Sequence, residues 1–337
     1  MNLSGIVRDR MVLPVIGAPM FIVSTPAMVI AQCKAGVIGS FPSLNARPAQ
    51  ELENWLQRIH DELATYDASL PKVDPPDNRA RSAPFAVNLI VHKSNDRLAH
   101  DLDLCVRYRV PMVITSLGAR EDVNQAVHAY GGIVLHDVIN DMFAHKAVDK
   151  GADGLIAVAA GAGGHAGTFS PFALVEEIRE WFSGPLVLSG AIATGRGVAA
   201  ARALGADLAY IGSAFIATRE ANAPEAYKQM IVDFNAAEIV YSSYFTGVHG
   251  NYLKPSIRNV GLDPENLPQA DPTKMDFAKA DGKVKAWRDV WSAGQGIGAV
   301  KAVVSVAELV SRLKAEYEVA LEKLTSSQAK VAARNLV

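Results

Sequence analysis

The chain has 337 residues, half of them hydrophobic, and its 33 basic and 35 acidic residues leave a net charge of −2. Because these charges form no long runs, the composition excludes the usual electrostatic footprint of a nucleic-acid or anionic-membrane binder and favours a small-molecule partner. The two cysteines, Cys33 and Cys105, are too few for a disulfide framework and lie in no metal-binding motif. We therefore expect a reducing, cytoplasmic setting and no metal site.

The sequence predicts no signal peptide and no transmembrane helix. The first twenty residues mix charges and prolines instead of placing a basic region before an apolar block. No apolar run reaches the roughly 18 residues that a transmembrane helix needs.

Short apolar runs recur along the first two-thirds of the chain, each followed by a helical pattern. They cover residues 15–18, 37–41, 85–90, 112–116, 132–136, 155–159, 186–189 and 208–212. This alternation predicts a parallel sheet covered by helices, and eight such units favour a TIM (β/α)8 barrel. A doubly wound open sheet is the alternative, and pairing between the first and eighth strands separates the two.

The alternation of strand-like and helix-like patterns is interrupted in two places. A helix-like stretch at 48–66 leads into a proline-rich loop that ends at Pro84, and the pattern breaks again after Ile216. We predict that residues 217–285 form an inserted, mostly helical lobe, and that 1–216 and 286–337 form the barrel. The apolar spacing of 304–324 predicts a final helix that packs as the eighth barrel helix.

The sequence AAGAGGHAGTFSP at 159–171 places one ionisable side chain, His165, in a glycine-rich loop. The loop follows an apolar run and precedes a helical pattern, so we interpret it as a βα connection. The active sites of α/β barrels are built from such loops. Glycines let a ligand approach the backbone closely, and histidine exchanges protons near neutral pH. A structural turn is the alternative reading, but the position favours a functional one.

Glycine turns end the seventh and eighth runs, in SGAIATGRG and GSAF. Backbone N–H groups at Gly190, Ala191, Gly212 and Ser213 are expected to converge on one anion, because this corner of a barrel is the usual phosphate site. Ordinary turns between strands and helices are the alternative.

Two further features are expected to contact a flat, apolar ring of the same ligand, at the end away from its phosphate. The first run leads into Ala18, Pro19 and Met20, where a small-residue turn and a thioether can lie against an apolar ring. Asn88 lies near the carboxyl end of the third run, where a buried amide must find a partner. That partner is a ligand or, alternatively, neighbouring backbone.

These segments together resemble the FMN-dependent nitronate monooxygenase family, formerly called 2-nitropropane dioxygenases, whose relatives include NAD(P)H:quinone reductases and flavin-dependent enoyl reductases. The matching segments are GAPM (17–20), FAVNL (85–89), AGAGGHAG (160–167), LSGAIATGRG (188–197), ALGADLAYIGSAFIAT (203–218) and WSAGQGIG (291–298). They span nearly the whole chain in the expected order.

The resemblance implies an FMN-binding TIM barrel with an added lobe and His165 at the position of the catalytic histidine. The cofactor contacts predicted on this basis are Ala18, Pro19, Met20, Asn88, His136, Gly164, Ser189, Gly190, Ala191, Gly212, Ser213 and Gln295. The implied reaction is oxidation of alkyl nitronates by O₂ to carbonyl compounds and nitrite or nitrate. An FMN-dependent NAD(P)H:quinone or enoyl-thioester reductase is the alternative, and a non-catalytic barrel that binds a phosphate ligand is a third reading.

The chain departs from some relatives at one position. Where the quinone-reductase-like members have His-Lys at the end of the fifth strand, this chain has His136-Asp137. A carboxylate beside a flavin disfavours its electron-rich reduced form, which counts against quinone-reductase activity.

The predicted lobe carries a concentration of polar and aromatic residues at 244–256. His249, Tyr252 and Lys254 are the predicted substrate contacts there, and a solvated loop anchored by its aromatics is the alternative. Whether NAD(P)H serves as a donor and whether the chain forms a homodimer are left open.

Overall fold

The computed structural model describes residues 10–71, 81–269 and 287–334, with side chains through residue 326. The strands, in chain order, are β1 (Val15–Gly17), β2 (Gly39–Pro42), β3 (Phe85–Ile90), β4 (Met112–Ser116), β5 (Ile133–Val138), β6 (Gly154–Val158), β7 (Gly164–His165), β8 (Leu186–Ser189), β9 (Leu208–Ile211), β10 (Ile239–Ser242) and β11 (Gly250–Leu253). All except β7, β10 and β11 belong to one parallel sheet, and these eight strands are the eight predicted apolar runs.

The parallel sheet closes into a barrel. Its strand order is β1-β9-β8-β6-β5-β4-β3-β2, and β1 pairs in parallel with β9 through Val15 and Ala209. On its other side, β1 meets β2 through a bridge between Ile16 and Ile38. Pairing of the first and eighth strands confirms the barrel and excludes the open-sheet alternative.

The helices surround this barrel. They are α1 (Pro26–Lys34), α2 (Glu51–Ser69), α3 (Leu98–Arg107), α4 (Glu121–Ala129), α5 (Asp141–Asp149), α6 (Pro171–Arg179), α7 (Gly195–Leu204), α8 (Ser213–Ile216), α9 (Glu225–Asp233), α10 (Lys254–Asn259) and α11 (Val306–Arg334). As predicted for the eighth barrel helix, α11 packs against α7 and α1. There, Glu316 accepts a hydrogen bond of 2.8 Å from the backbone N–H of Gly195, the first residue of α7.

Successive side chains of a strand alternate between the inside of the barrel and the surrounding helices. In β5, Leu135 belongs to the interior cluster, together with Ile16 and Ile156 from other strands. Its neighbour Val134 packs in an outer cluster that includes helix residues. The strands are therefore apolar on both faces, which is why they read as continuous apolar runs.

The three remaining strands form a second, antiparallel sheet in the order β10-β11-β7. In its register, Gly250 of β11 lies opposite His165. Residues 217–269 of the predicted lobe thus contain α9, α10, a short 3₁₀ helix and this hairpin, while its residues 270–285 lie outside the described part of the chain. The sheet matters because it ties the lobe segment to the loop that carries His165.

Two further expectations concern single features. Both cysteines are buried, and desolvation raises the pKa of Cys33 to about 12, so they are inert core residues as predicted. Within the described ranges, we find no helix with the length and apolar character that crossing a membrane requires.

Candidate functional site

The loops at the carboxyl ends of the strands approach one another at glycines. The carbonyl oxygen of Gly161 accepts hydrogen bonds from the N–H groups of Ala191, at 3.2 Å, and Gln295, at 2.9 Å. A Cβ atom built on Gly296 would lie 2.5 Å from the oxygen of Ala191. Since real Cβ atoms do not come so close, only glycine permits these three loops to pack together.

Two further contacts extend this arrangement. The hydroxyl of Ser213 accepts a 2.8 Å hydrogen bond from the N–H of Gly294. A Cβ atom on Gly212 would lie 3.5 Å from the sulfur of Met20 and 3.6 Å from the Cβ of Ala18. The loops after β1, β6, β8 and β9 and the segment 294–296 therefore line one mouth of the barrel, which we call the barrel mouth.

The residues predicted to form a phosphate corner lie at this mouth, and one of them has another role. The short helix α8 starts at Ser213 directly after Gly212, and Gly190 has a φ of 147°, which favours glycine. However, the N–H of Ala191 is donated to Gly161. Ala191 therefore stabilises the loop, and the N–H groups of Gly190, Gly212 and Ser213 are the ones that remain from the predicted set.

His165 is held at the mouth by the second sheet. Its Nε2 lies 3.0 Å from the hydroxyl oxygen of Thr246, and that hydroxyl donates to the carbonyl of Val248 at 3.0 Å. Because the hydroxyl hydrogen of Thr246 is used on Val248, Thr246 accepts from His165, whose Nε2 carries the hydrogen. Burial lowers the pKa of His165 to about 4, so its imidazole is neutral at pH 7.

Aromatic rings adjoin His165. The indole of Trp287 meets the imidazole edge-on with 5.3 Å between ring centroids. The same indole meets the ring of Phe21, which follows Met20, at 5.9 Å. These two aromatic residues, which we call the aromatic roof, connect the loop after β1 with His165 and make the surroundings of the imidazole apolar.

Polar side chains occur inside the barrel below the mouth. The Nδ2 of Asn88 donates to the carbonyl of Ile114 at 3.1 Å and to the hydroxyl of Ser116 at 2.7 Å, and Ser116 donates to the carboxyl group of Asp137. Both amide hydrogens of Asn88 are thus satisfied by the neighbouring strand β4, in line with the structural alternative. Its Oδ1 is the amide atom that remains for a ligand.

His136 does not share this interior position. Its neighbours in β5, Leu135 and Asp137, face the barrel interior, so His136 faces the helices. There it is 5% exposed, and its Nδ1 lies 2.6 Å from the hydroxyl of Thr115. The structure therefore brings Asp137, instead of the predicted His136, to the inner side of the barrel.

The three predicted substrate contacts fall in different surroundings. Tyr252 is fully buried, with its ring centroid 4.8 Å from that of Phe245. His249 is exposed and stacks on Tyr241. Lys254 forms a 2.8 Å ion pair with Glu265. Of the three, Tyr252 is the one that lies on β11, the strand that pairs with the strand of His165.

The other predicted cofactor residues lie at the mouth. Gly164 has a φ of 68° and faces open space, and the exposed Gln295 places its side chain over Gly161. Ser189 ends β8, and Pro19 is half-buried between Ala18 and Met20. No group of three or more metal-binding side chains occurs within the described ranges.

Sequence comparison finds one family along this chain. The model of the nitronate monooxygenase family matches residues 6–316. The nitronate monooxygenase of Paraburkholderia phytofirmans is 28% identical, and the match covers 92% of this chain and 94% of that protein. A probable nitronate monooxygenase of Bacillus subtilis is 26% identical, with 89% and 94% covered.

Solved structures share the fold. FabK from Thermotoga maritima superposes with a TM-score of 0.76 at 22% identity, over 96% of this chain and 98% of that one. The nitroalkane oxidase of Streptomyces ansochromogenes gives a TM-score of 0.74 at 23% identity, over 95% and 99%. Since the family match spans nearly the whole barrel and includes the segments that form its mouth, the chain belongs to the nitronate monooxygenase family and is an oxidoreductase.

Proposed function

We propose that this protein uses FMN to oxidise alkyl nitronates with O₂, giving carbonyl compounds and nitrite or nitrate. The observation that carries the proposal is His165, a neutral imidazole fixed by Thr246 beside a glycine-lined barrel mouth. A placed histidine of this kind contributes about 10²- to 10⁴-fold to proton transfer.

The residues of the mouth fit FMN. The glycine contacts leave backbone exposed to a ligand, and the N–H groups of Gly190, Gly212 and Ser213 suit its phosphate. Met20, Asn88 and the Gln295 segment would hold the ring. When bound, FMN accepts the electrons of the substrate and passes them to O₂.

His165 acts in this proposal as a base and hydrogen-bonding group. With the hydrogen on Nε2, its basic atom is Nδ1, which accepts the α-proton of a neutral nitroalkane. A cationic His165 that anchors the anionic nitronate is the other role, and the lowered pKa favours the base.

The segment 217–285 is proposed as the substrate lobe. Its strand β11 pairs with β7, and its Thr246 contacts His165. Together with the aromatic roof, Thr246 shields part of the half-buried imidazole from water, which strengthens electrostatic interactions there.

The test is anaerobic mixing of the purified, FMN-loaded protein with propyl nitronate while the flavin absorbance is followed. We expect the flavin to become reduced and to reoxidise when air is admitted, with carbonyl product and nitrite or nitrate released. A flavin that stays oxidised with the nitronate, but is bleached rapidly by NADH, would contradict the proposal and indicate an NAD(P)H-dependent reductase. A protein that cannot be loaded with FMN would also overturn it.

A further inference from the structure

Four polar side chains form a layer across the inside of the barrel, which we call the interior polar layer: Asn88 on β3, Ser116 on β4, Asp137 on β5 and Tyr210 on β9. The first three are linked in order by hydrogen bonds from Asn88 to Ser116 and from Ser116 to Asp137. Tyr210 lies on a strand that is not a neighbour of β5, and its side chain belongs to the interior cluster. Both Asp137 and Tyr210 therefore point into the barrel interior.

This layer holds two polar atoms without partners. Oδ1 of Asp137 and the hydroxyl of Tyr210 are both buried, and neither has a hydrogen-bond partner among the described residues. Tyr210 as a whole is 8% exposed. A buried polar atom without a partner destabilises the fold, so two of them on the interior side of the barrel are expected to serve the site.

The charges around Asp137 show how its carboxyl group titrates. Its neighbour Ser116 on β4 donates a hydrogen bond, β3 contributes the neutral Asn88, and β6 contributes the apolar Ile156 in register with it. From β9, Tyr210 stays neutral, because burial and the charge of Asp137 raise its pKa. Burial raises the pKa of Asp137 to about 6, and the hydrogen bond from Ser116 opposes the rise. None of these facing groups is a cation.

We propose that Asp137 is a positioning residue that holds a proton at Oδ1 inside the barrel, and that its ionisation weakens the binding of reduced flavin relative to oxidised flavin. This inference rests on the proposed function, because it requires FMN at the barrel mouth. A carboxylate at Asp137 would oppose the negative charge that a flavin bound at the mouth gains on reduction, whereas the protonated acid would not. Reduction is therefore accompanied by uptake of a proton from solvent at Asp137.

The charge of the cofactor and the charge of Asp137 are linked thermodynamically. The protonated acid prevails below about pH 6 and the carboxylate above it. As pH rises through 6, we expect the Kd of reduced FMN to increase by about tenfold relative to that of oxidised FMN. Above about pH 6, the midpoint potential of the bound flavin consequently falls more steeply with pH than the midpoint potential of a flavin that has no titrating group beside it.

The experiment measures the midpoint potential of the holoenzyme by equilibration with reference dyes from pH 5 to 8. Wild type is compared with Asp137→Asn, which keeps the shape of the side chain but does not titrate. We expect the additional pH dependence in wild type and its loss in Asp137→Asn. The exposed Asp103→Asn on α3 is the matched control and should keep the wild-type profile.

A second variant and a direct measurement cover the case in which Asp137→Asn fails to fold. Ser116→Ala removes the donor that favours the carboxylate, so the change in slope should move to higher pH. Infrared titration should detect the carbonyl band of a protonated carboxylic acid near pH 6 in wild type, displaced to higher pH in Ser116→Ala.

The outcomes separate this inference from the proposed function. Wild type that binds no FMN, or whose flavin does not react with nitronate, would overturn the proposed function. A protein that oxidises nitronates while Asp137→Asn and Ser116→Ala keep the wild-type potential profile would overturn this inference alone. Absence of the acid band from wild type at pH 5 would overturn it as well.

Discussion

Two histidines, one on the outside of β5 and one at the barrel mouth, share the same local chemistry. Burial lowers the pKa of both His136 and His165 to about 4, and each has a threonine hydroxyl beside one ring nitrogen. Yet His136 lies between the barrel and its helices, while His165 lies on β7 among the loops that line the mouth. A depressed pKa and a neighbouring threonine hydroxyl therefore do not single out the histidine proposed as catalytic, whereas its position at the barrel mouth does.

Replacing His165 by asparagine should have the largest effect on activity. Removal of the base is expected to lower kcat/KM with a nitroalkane by about 10²- to 10⁴-fold while FMN remains bound. Steady-state kinetics and the flavin absorbance of the purified variant check both parts. His136→Asn is the matched control and should keep most of the activity. Equal losses in the two variants would show that the two regions do not differ in function.

The position of His165 depends on the strand opposite it, which Gly250→Ala disturbs. A Cβ atom on Gly250 would lie 2.7 Å from the oxygen of Gly164, so β7 and β11 must separate. Because a misplacement of about 1 Å can cost about 10²-fold, we expect a fall in kcat of that order. Gly298→Ala, whose Cβ would lie 3.3 Å from the Cβ of the exposed Asn235, should have little effect. Full activity in Gly250→Ala would argue against positioning by the second sheet.

Much of this comparison could be predicted from sequence. The eight strands are local apolar runs closed by turns, and the glycine loop after the sixth run placed His165 in a βα connection. Which side chains of β5 point into the barrel could not be predicted. Both faces of this strand are buried, so its sequence does not alternate between apolar and polar residues in a way that distinguishes the two faces. The predicted run also ended at His136, so Asp137 was outside it.

The surroundings of His165 depend on contacts that are distant in sequence. Thr246 contacts His165 although the two residues are 81 positions apart in sequence. The pairing of β11 with β7 brings them together, and β7 consists of only two residues. Trp287 contacts it from a further segment. No local period marks such a short strand or its partners, so the second sheet and the aromatic roof were missed, although the polar residues at 244–256 did indicate that the segment matters.

The pH dependence of activity should distinguish the two roles of His165. A base with a pKa of about 4 is unprotonated at neutral pH, so kcat/KM with a neutral nitroalkane should be level from pH 8 to 5. Below about pH 4 it should fall by about tenfold per unit as the imidazole is protonated. Activity that rises as the imidazole becomes charged would instead support the anchoring cation. The His136→Asn control should show the wild-type profile.

Thr246→Val should produce a smaller loss. The variant removes the acceptor for the Nε2 hydrogen of His165, so the imidazole loses one fixed tautomer and orientation. With about 1 kcal/mol for such a hydrogen bond, we expect kcat/KM to fall about fivefold. Thr246→Ser keeps the hydroxyl and should restore activity. If the serine variant is as impaired as the valine variant, packing of the threonine methyl group is what matters.

The smallest effect on activity, and a clear effect on stability, is expected for His136→Gln. Because the pKa of His136 is lower in the folded protein than in the unfolded chain, the unfolded chain binds more protons between pH 6.5 and 4. Wild type should therefore lose about 2 kcal/mol of unfolding free energy through this residue between pH 7 and 5. A glutamine side chain does not titrate, so denaturant unfolding of the variant should show a correspondingly smaller acid loss at unchanged turnover. Since burial lowers the pKa of His165 to the same value, His165→Asn should reduce the acid loss similarly. It should also lower kcat/KM by roughly the 10²- to 10⁴-fold expected for loss of a base, and this difference separates a histidine that affects only stability from one that serves the proposed chemistry.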